Sequence, residues 1–298
     1  MNFSEELKKR TGETEEIIEG FLPPEEGRQS LIMEAMNYSV LAGGKRLRPL
    51  LMYETYRMFG GAGETVYRFM AAMEMIHTYS LVHDDLPAMD DDRYRRGKLT
   101  THARYGHAMG ILAGDGLLNF AFETAASAFD CADGEEELRR AAKALQILAR
   151  KAGVYGMIGG QAVDVQETGR AVDEETLLFI YELKTGALLE ASMMIGAVLA
   201  GADDGEVELL EQIASDVGTA FQIRDDILDV TGTLETLGKP ANSDDRNEKT
   251  TYVTLKGLEK ASEEVERISE RALAGLRSLS CKNEFLLELI KALIYREK

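Results

Sequence analysis

Residues 220–229 read Ala-Phe-Gln-Ile-Arg-Asp-Asp-Ile-Leu-Asp. Four polar side chains in this stretch share one helix face, because they follow i, i+3, i+4, i+7 spacing: Gln222, Asp225, Asp226 and Asp229. Their neighbours are apolar, so the polar stripe interrupts a helix that is otherwise typical of a protein core. The stretch predicts a helix with an acidic site, although a salt-bridged structural face would give the same pattern.

The rest of the chain is also predicted to be helical. Its five prolines lie at 23, 24, 49, 87 and 240, so none interrupts the run from Ala88 to Lys239. Proline in a helix interior costs about 3 kcal/mol, whereas the abundant Ala, Leu, Met and Glu favour helices. No sustained apolar–polar alternation indicates half-buried strands. We therefore predict an all-α fold with helices at 4–20, 27–42, 46–59, 64–86, 107–130, 136–151, 172–200, 206–231, 247–278 and 283–296.

No linker-like change in composition divides the chain, so we expect one domain that spans residues 1–298. Two short regions between the predicted helices, 87–106 and 232–246, are polar and irregular. Each of them directly follows an acidic cluster. This recurrence is the first indication of a functional site.

The composition narrows the class of protein. A formal net charge of −18 favours solubility and disfavours nucleic acid or an anionic membrane surface as partners. Cys131 and Cys281 form no close pair that would indicate a zinc site or a disulfide framework. The N-terminus lacks the features of a signal peptide, and the most apolar stretch, Gly186–Ala202, contains Glu190 and is too short to span a membrane. We expect a cytoplasmic protein without stable membrane insertion.

A second acidic cluster lies at 83–92, which reads His-Asp-Asp-Leu-Pro-Ala-Met-Asp-Asp-Asp. An isolated acidic run is usually a solvated helix end, but this one follows the largely apolar stretch Met73–Val82. Carboxylates at the mouth of a buried helix are candidate ligands for Mg²⁺. Asp84 and Asp90 are six residues apart, a spacing that an ideal helix would not place on one face, but Pro87 prevents a regular helix. A local bulge there would bring the two carboxylates together.

Two basic clusters stand against the overall negative charge. Residues 43–49 read Gly-Gly-Lys-Arg-Leu-Arg-Pro, and Arg93, Arg95, Arg96 and Lys98 follow the acidic cluster at 83–92. Taken singly, each cation is explained equally well by an ion pair with a neighbouring acid and by a functional role. Together, the acidic and basic clusters favour a substrate with several phosphates, because Mg²⁺ binds through one or two carboxylates plus phosphate oxygens and Arg or Lys neutralises the remaining charge. A nucleotide is disfavoured because there is no Walker-type loop.

His77 is an isolated histidine seven residues before Asp84. A lone histidine is more often a structural hydrogen-bonding group than a catalyst. The sequence contains no Ser/His/Asp or Cys/His constellation that would support nucleophilic catalysis.

Between about Tyr38 and Lys256 the chain resembles the short-chain polyprenyl diphosphate synthases, and most closely those that make farnesyl diphosphate in bacteria. A single Asp-Asp-x-x-Asp pattern would be weak evidence, but here two acidic blocks occur with matching flanks. The motifs follow the family's order: 41–49, 75–102, Ala113-Gly114-Asp115, Gly160-Gln161, Leu183-Lys184-Thr185-Gly186, 221–229 and Leu237-Gly238-Lys239.

The resemblance implies a bundle of antiparallel helices around a deep central cavity, usually in a homodimer, and three Mg²⁺ ions with substrate bound. Asp84 and Asp90 would bind two ions and Asp225 the third. The remaining acidic residues would support them directly or through water: Asp85, Asp226 and Asp229.

Two diphosphate subsites also follow from the resemblance. The allylic diphosphate would be held by Arg95, Lys184 and Lys239, and Lys249 resembles a family lysine that closes over it. The diphosphate of isopentenyl diphosphate would be held by Lys45, Arg48, His77 and Arg96. In that role histidine is a hydrogen-bond donor to phosphate and not a base.

The implied reaction is ionisation, condensation and elimination. Isopentenyl diphosphate would be joined head to tail to dimethylallyl and then geranyl diphosphate, which gives farnesyl diphosphate. The allylic carbocation would face the oxygen dipoles of Thr185, Gln222 and the Lys184 carbonyl. The released diphosphate would accept the proton, which fits the absence of an obvious general base.

Product length is expected to depend on Tyr79 and Ser80, one turn before Asp84. Ideal helix geometry places Ser80 more directly beneath Asp84, whereas the resemblance implies that Tyr79 closes the cavity. Tyr79 would otherwise be an ordinary core aromatic.

Three alternatives stay open: a geranylgeranyl diphosphate synthase, a terpene cyclase, and a non-catalytic synthase subunit. A cyclase would not need the 43–49 motif, and intact acidic motifs disfavour the non-catalytic subunit.

Overall fold

Helices form nearly all the regular structure of the computed structural model, which describes residues 2–231 and 250–296. The all-α prediction is confirmed. The helices are α1 Phe3–Glu19, α2 Ser30–Val40, α3 Leu47–Met58, α4 Thr65–Asp84, α5 Thr101–Tyr105, α6 His107–Ala126, α7 Glu135–Ala152, α8 Met157–Gln166, α9 Glu174–Ile180, α10 Ala187–Ala200, α11 Asp204–Thr231, α12 Tyr252–Lys256, α13 Leu258–Ser278 and α14 Glu284–Ile294. A 3₁₀ turn, Ser127–Cys131, follows α6, and a π-helical segment, Tyr181–Gly186, joins α9 to α10.

The core forms around two extensively buried helices, α4 and α10. Along α4 almost every residue from Phe69 to Ile76 is fully buried, and α10 is buried over nearly its whole length. α4 packs on α6 and α3, while α10 packs on α3, α7 and α11. α7 and α13 have one apolar face each and cover this core from outside. The acidic ends of α4 and α11 therefore project from a rigid interior.

Three features differ from the sequence prediction. Helix α8 was not predicted, because it lies between glycine-rich turns and contains two glycines itself. The 87–106 region is not wholly irregular, since it contains α5 and a two-stranded antiparallel hairpin, β1 Tyr94–Arg95 and β2 Lys98–Leu99. The predicted helix 247–278 is broken at Gly257, whose φ of 84° lies in the left-handed region that favours glycine.

One stretch, Glu174–Ala200, is long and apolar enough by composition to cross a membrane. However, 72% of its most apolar window is buried inside the protein. That burial is typical of the core helix of a globular protein.

Candidate active site

The acidic cluster at 83–92 lies where α4 ends. After Pro87 the chain turns back, and the backbone N–H of Asp90 donates to the carbonyl of Asp84 at 2.9 Å. The predicted bulge is therefore present and places Asp90 beside Asp84. Burial raises the pKa of Asp84, and the neighbouring Asp90 charge acts in the same direction, whereas Lys184 opposes it. Such a carboxylate favours a nearby cation.

The acidic cluster at 222–229 opens into a cavity between α11, α9 and the π-helical segment. The four residues predicted on one face of α11 all line it: Gln222, Asp225, Asp226 and Asp229. Lys184 and the two residues before α12, Thr250 and Thr251, line it as well. Asp225 is half exposed, while Asp229 is buried. The helical spacing therefore predicted this face of the cavity correctly.

Asp226 connects three elements. One of its carboxylate oxygens accepts hydrogen bonds from the Tyr181 hydroxyl at 2.5 Å and from the backbone N–H of Tyr252 at 2.7 Å. The carboxylate therefore fastens α11 to the π-helical segment and to α12. This structural role was not visible from its place in the acidic motif.

Lys184 and Thr185 lie in the π-helical segment, a form that is rare and often marks functional sites. Two glycines allow neighbouring helices to pack directly on its backbone. A Cβ on Gly160 of α8 would collide with the backbone of Lys184, and one on Gly218 of α11 would lie 2.8 Å from the Gly186 Cα. The position of Lys184 is thus fixed from both sides.

Helix α8 bridges the two acidic clusters. Gln161 donates to Asp84 at 2.8 Å, and Lys184 donates to Asp164 at 2.6 Å. Asp164 lines the cavity of the 222–229 cluster and also the space beside Asp90. Sequence reasoning quoted the Gly160-Gln161 motif but gave neither Gln161 nor Asp164 a role. The spacing of three between them, on one helix face, was the available signal.

Two consecutive arginines of the β hairpin, Arg95 and Arg96, contact different parts of the protein. Arg96 and Gly97 form the two-residue turn of the hairpin, and both have positive φ, 53° and 76°, as in a type I′ turn. Arg95 pairs with the buried Asp85, with its Nε 2.8 Å from one carboxylate oxygen. Arg96 instead reaches the 43–49 turn and donates to the carbonyl of Gly43.

A separate basic cavity lies at the N-terminus of α3. The four residues predicted to hold isopentenyl diphosphate all line it: Lys45, Arg48, His77 and Arg96. The Arg48 Nη1 and His77 Nε2 atoms are 3.4 Å apart. Burial, reinforced by Arg48 and Arg96, lowers the pKa of His77 well below its usual value. The neutral form of the imidazole is therefore favoured, and in that form one ring nitrogen can still donate a hydrogen bond.

The C-terminal segment also reaches the site. Arg296 forms an ion pair with Asp225, and its guanidinium lies 3.7 Å from the centroid of the Phe221 ring. The carbonyl of Arg296 accepts a hydrogen bond from the Nε of Arg224 at 3.1 Å. A protein cation thus occupies the position beside Asp225 where a bound metal is expected. Sequence reasoning missed Arg296, because nothing local to 295–296 indicates it.

Tyr79 lies on α4 below Asp84 and is 5% exposed. Its ring meets the His83 ring edge to face, with centroids 5.8 Å apart. Its hydroxyl is buried without a hydrogen-bond partner among the described residues. Ser80 is half-buried and donates to the His77 carbonyl at 2.8 Å. Lys239 and Lys249 lie outside the described residues.

The arrangement of the carboxylates suits Mg²⁺, which takes only part of its ligands from protein, better than a metal ion whose ligands all come from protein side chains. Within 2–231 and 250–296, no three Asp, Glu, His or Cys side chains converge as a complete metal site. Asp84 and Asp90 are nevertheless adjacent, and Asp225 carries a cationic partner. Mg²⁺ normally takes one or two carboxylates and completes its shell with water and phosphate oxygens. The donor set therefore fits ions shared with a diphosphate.

Comparison with known proteins agrees with this geometry. Residues 29–286 match the family model described as polyprenyl synthetase. The chain is 40% identical over 282 residues to farnesyl diphosphate synthase of Escherichia coli, covering 94% of this chain and 93% of that protein. It is 45% identical over 271 residues to the chloroplastic geranylgeranyl pyrophosphate synthase of Capsicum annuum, covering 90% and 72%.

A similar solved structure is the geranyltransferase of Helicobacter pylori, which is complexed with magnesium and isoprenyl diphosphate. Its TM-score is 0.82 at 30% identity, over 99% of this chain and 97% of that one. The family match and these relatives cover nearly the whole chain. The chain therefore belongs to the polyprenyl synthetase family of prenyltransferases.

Proposed function

We propose that this prenyltransferase condenses isopentenyl diphosphate with dimethylallyl diphosphate and then with geranyl diphosphate, and that it releases farnesyl diphosphate. The observation that carries the proposal is the separation of two cavities. One is lined by carboxylates, Lys184 and Gln222, and the other by Lys45, Arg48, His77 and Arg96. Two diphosphates held apart suit a condensation, whereas a cyclase needs only one.

The metal assignment is part of the proposal. Asp84 and Asp90 would hold two Mg²⁺ ions and Asp225 a third, each shared with the allylic diphosphate. Mg²⁺, when bound, neutralises the negative charge that develops on the departing diphosphate. Arg296 would have to leave Asp225, and Lys184 would be shared between Asp164 and phosphate.

Side chains of the protein would hold the two diphosphates and stabilise the carbocation. Lys184 and Arg95 would hold the allylic diphosphate, and the carbocation would lie near the Gln222 and Thr185 side chains. Oxygen dipoles fixed in a rigid frame stabilise such a cation without reorganising. Arg48 and neutral His77 would hold isopentenyl diphosphate so that its double bond faces the cation.

The 15-carbon product length is the finer part of the proposal. The large buried Tyr79 favours an early stop, while the Capsicum relative favours 20 carbons. Purified protein should be incubated with Mg²⁺, isopentenyl diphosphate and dimethylallyl diphosphate, and the products separated by chain length. We expect farnesyl diphosphate as the main product. A main product of 20 carbons would instead indicate a geranylgeranyl diphosphate synthase, and no condensation would contradict the proposed function.

The division into two subsites predicts separate kinetic effects. Arg48→Ala should raise KM for isopentenyl diphosphate about tenfold or more, because a charged hydrogen bond to phosphate is lost. Lys184→Ala should act mainly on KM for the allylic substrate. Arg271→Ala is a matched control, since this arginine pairs with Asp216 away from both cavities. Equal effects of Arg48→Ala and Lys184→Ala on both substrates would contradict the assignment.

We further propose a single-domain, soluble, cytoplasmic protein that functions as a homodimer. Support for the dimer comes from α6, where Ile111 and Leu112 are 47% and 50% exposed next to each other. Large contiguous apolar patches mark protein interfaces, and these two side chains would contribute to such a patch.

A further inference from the structure

The middle cation of the 43–49 turn, Arg46, lines the basic cavity with Lys45 and Arg48, but its guanidinium is engaged by protein groups. Arg46 is 4% exposed, and its guanidinium is turned into the protein. Its Nη1 atom lies 2.6 Å from Glu74 Oε1, and its Nη2 donates to the carbonyl of Val40 at 2.8 Å. Glu15 approaches Nε at 3.4 Å. Arg46 is thus occupied on three sides by protein acceptors.

The backbone at Arg46 is unusual as well. Its φ of 49° is in the left-handed region, which side chains other than glycine rarely adopt. A residue keeps such a conformation only where the surrounding structure enforces it. Among the contacts of its guanidinium, the buried pair with Glu74 is the shortest.

This conformation decides where the neighbouring cations point. With Arg46 turned inward, Lys45 and Arg48 both line the basic cavity. Glu74 lies three residues before His77 on α4, so both occupy the same side of that helix. The Glu74–Arg46 pair therefore connects the turn that carries Lys45 and Arg48 to the helix that carries His77.

The Glu74 charge also acts on the cavity directly. Glu74 is 2% exposed and is one of the residues that line the cavity. Burial lowers the pKa of Arg48 to about 10, and the Glu74 carboxylate opposes that change. A carboxylate would repel a diphosphate if it were free, but here its charge is offset by Arg46.

We propose that Glu74 is a positioning residue for isopentenyl diphosphate, which acts by holding Arg46 inward and thereby directing Lys45 and Arg48 at the diphosphate. This inference rests on the proposed function, because it assumes that the basic cavity binds that substrate. It adds a residue to which the motifs assign no role.

The test compares Glu74→Gln with Glu54→Gln. Glu54 is a matched control because it is also a buried glutamate, 1% exposed, that pairs with an arginine, Arg10, at 2.5 Å and lies in neither cavity. KM for isopentenyl diphosphate, KM for geranyl diphosphate and Tm should be measured for each variant. Glu74→Gln should raise KM for isopentenyl diphosphate about tenfold and KM for geranyl diphosphate less than about twofold. Glu54→Gln should lower Tm without changing the ratio of the two KM values.

Two further variants keep the test decisive. Glu74→Asp retains the charge and should give a smaller rise in the same KM, so it carries the test if Glu74→Gln does not fold. In a double-mutant cycle with Arg46→Lys, the two effects on KM should not add, because Glu74 acts through Arg46.

Unchanged KM for isopentenyl diphosphate in folded, active Glu74 variants would overturn the inference and leave the proposed function intact. A parallel rise in both KM values would also overturn it, since a general structural role predicts that result. A wild-type protein that does not condense the two substrates would overturn the proposed function and this inference together.

Discussion

We expect Asp84→Ala and Asp225→Ala to lower turnover by about a hundredfold or more, because each removes a proposed ligand for the ions that stabilise the departing diphosphate. Removal of Mg²⁺ with a chelator should abolish condensation, and added Mg²⁺ should restore it. The thermal stability of the Asp225 variant should change little, because this half-exposed ion pair with Arg296 contributes at most about 1 kcal/mol. Steady-state rates and Tm values measured on the same preparations test both expectations.

Asp216→Ala is the control for Asp225→Ala. Asp216 lies on the same helix and pairs with Arg271, with atoms 2.7 Å apart, but it does not line the acidic cavity. We expect it to retain wild-type turnover. If the losses of activity in Asp84→Ala and Asp225→Ala only followed losses of folded protein, the carboxylates would be structural and the metal assignment would be wrong.

Tyr79→Ala should lengthen the product to 20 carbons or more. The growing chain must extend away from the diphosphate into apolar space, and the buried Tyr79 ring would limit that space. Truncation to Ala leaves a cavity that the protein cannot completely refill. An apolar chain can fill it, with about 0.8 kcal/mol gained for each buried methylene. Chromatography of the products by chain length gives the result directly.

Tyr79→Phe separates the ring from the hydroxyl. Because the hydroxyl has no hydrogen-bond partner among the described residues, its removal should leave both stability and product length unchanged. Unaltered chain lengths in a folded, active Tyr79→Ala variant would show that another residue closes the cavity. Ser80, the alternative from helix geometry, would then be the next residue to substitute.

Much of the site could be predicted because helical periodicity is local. The spacing of Gln222, Asp225 and Asp229 follows from 3.6 residues per turn, and all three line one cavity. Pro87 predicted the break that places Asp90 beside Asp84. The basic cluster was also predicted, since Lys45 and Arg48 belong to one short turn, whereas the grouping with His77 and Arg96 came from the family resemblance.

Other parts depend on contacts between residues distant in sequence. Asp226 accepts hydrogen bonds from Tyr181 and Tyr252, which lie 45 and 26 residues away. Helical spacing does not predict such partners. The pairing of Arg296 with Asp225 is of the same kind, because it needs α14 to pack beside α11. The contacts of Gln161 and Asp164 were missed because the glycine-rich α8 has low helix propensity and is stabilised mainly by packing.

The sequence by itself determined the helical class, the two acidic clusters, the two basic clusters and the family. These follow from proline placement, from periodicity and from motifs that are continuous in the chain. Only the tertiary structure decided which protein group each arginine contacts: Arg95 pairs with Asp85, Arg96 donates to the Gly43 carbonyl, and Arg46 pairs with Glu74. The reason is that a side chain's direction depends on backbone φ at Arg46 and Arg96, which neighbouring elements enforce through packing and buried charge.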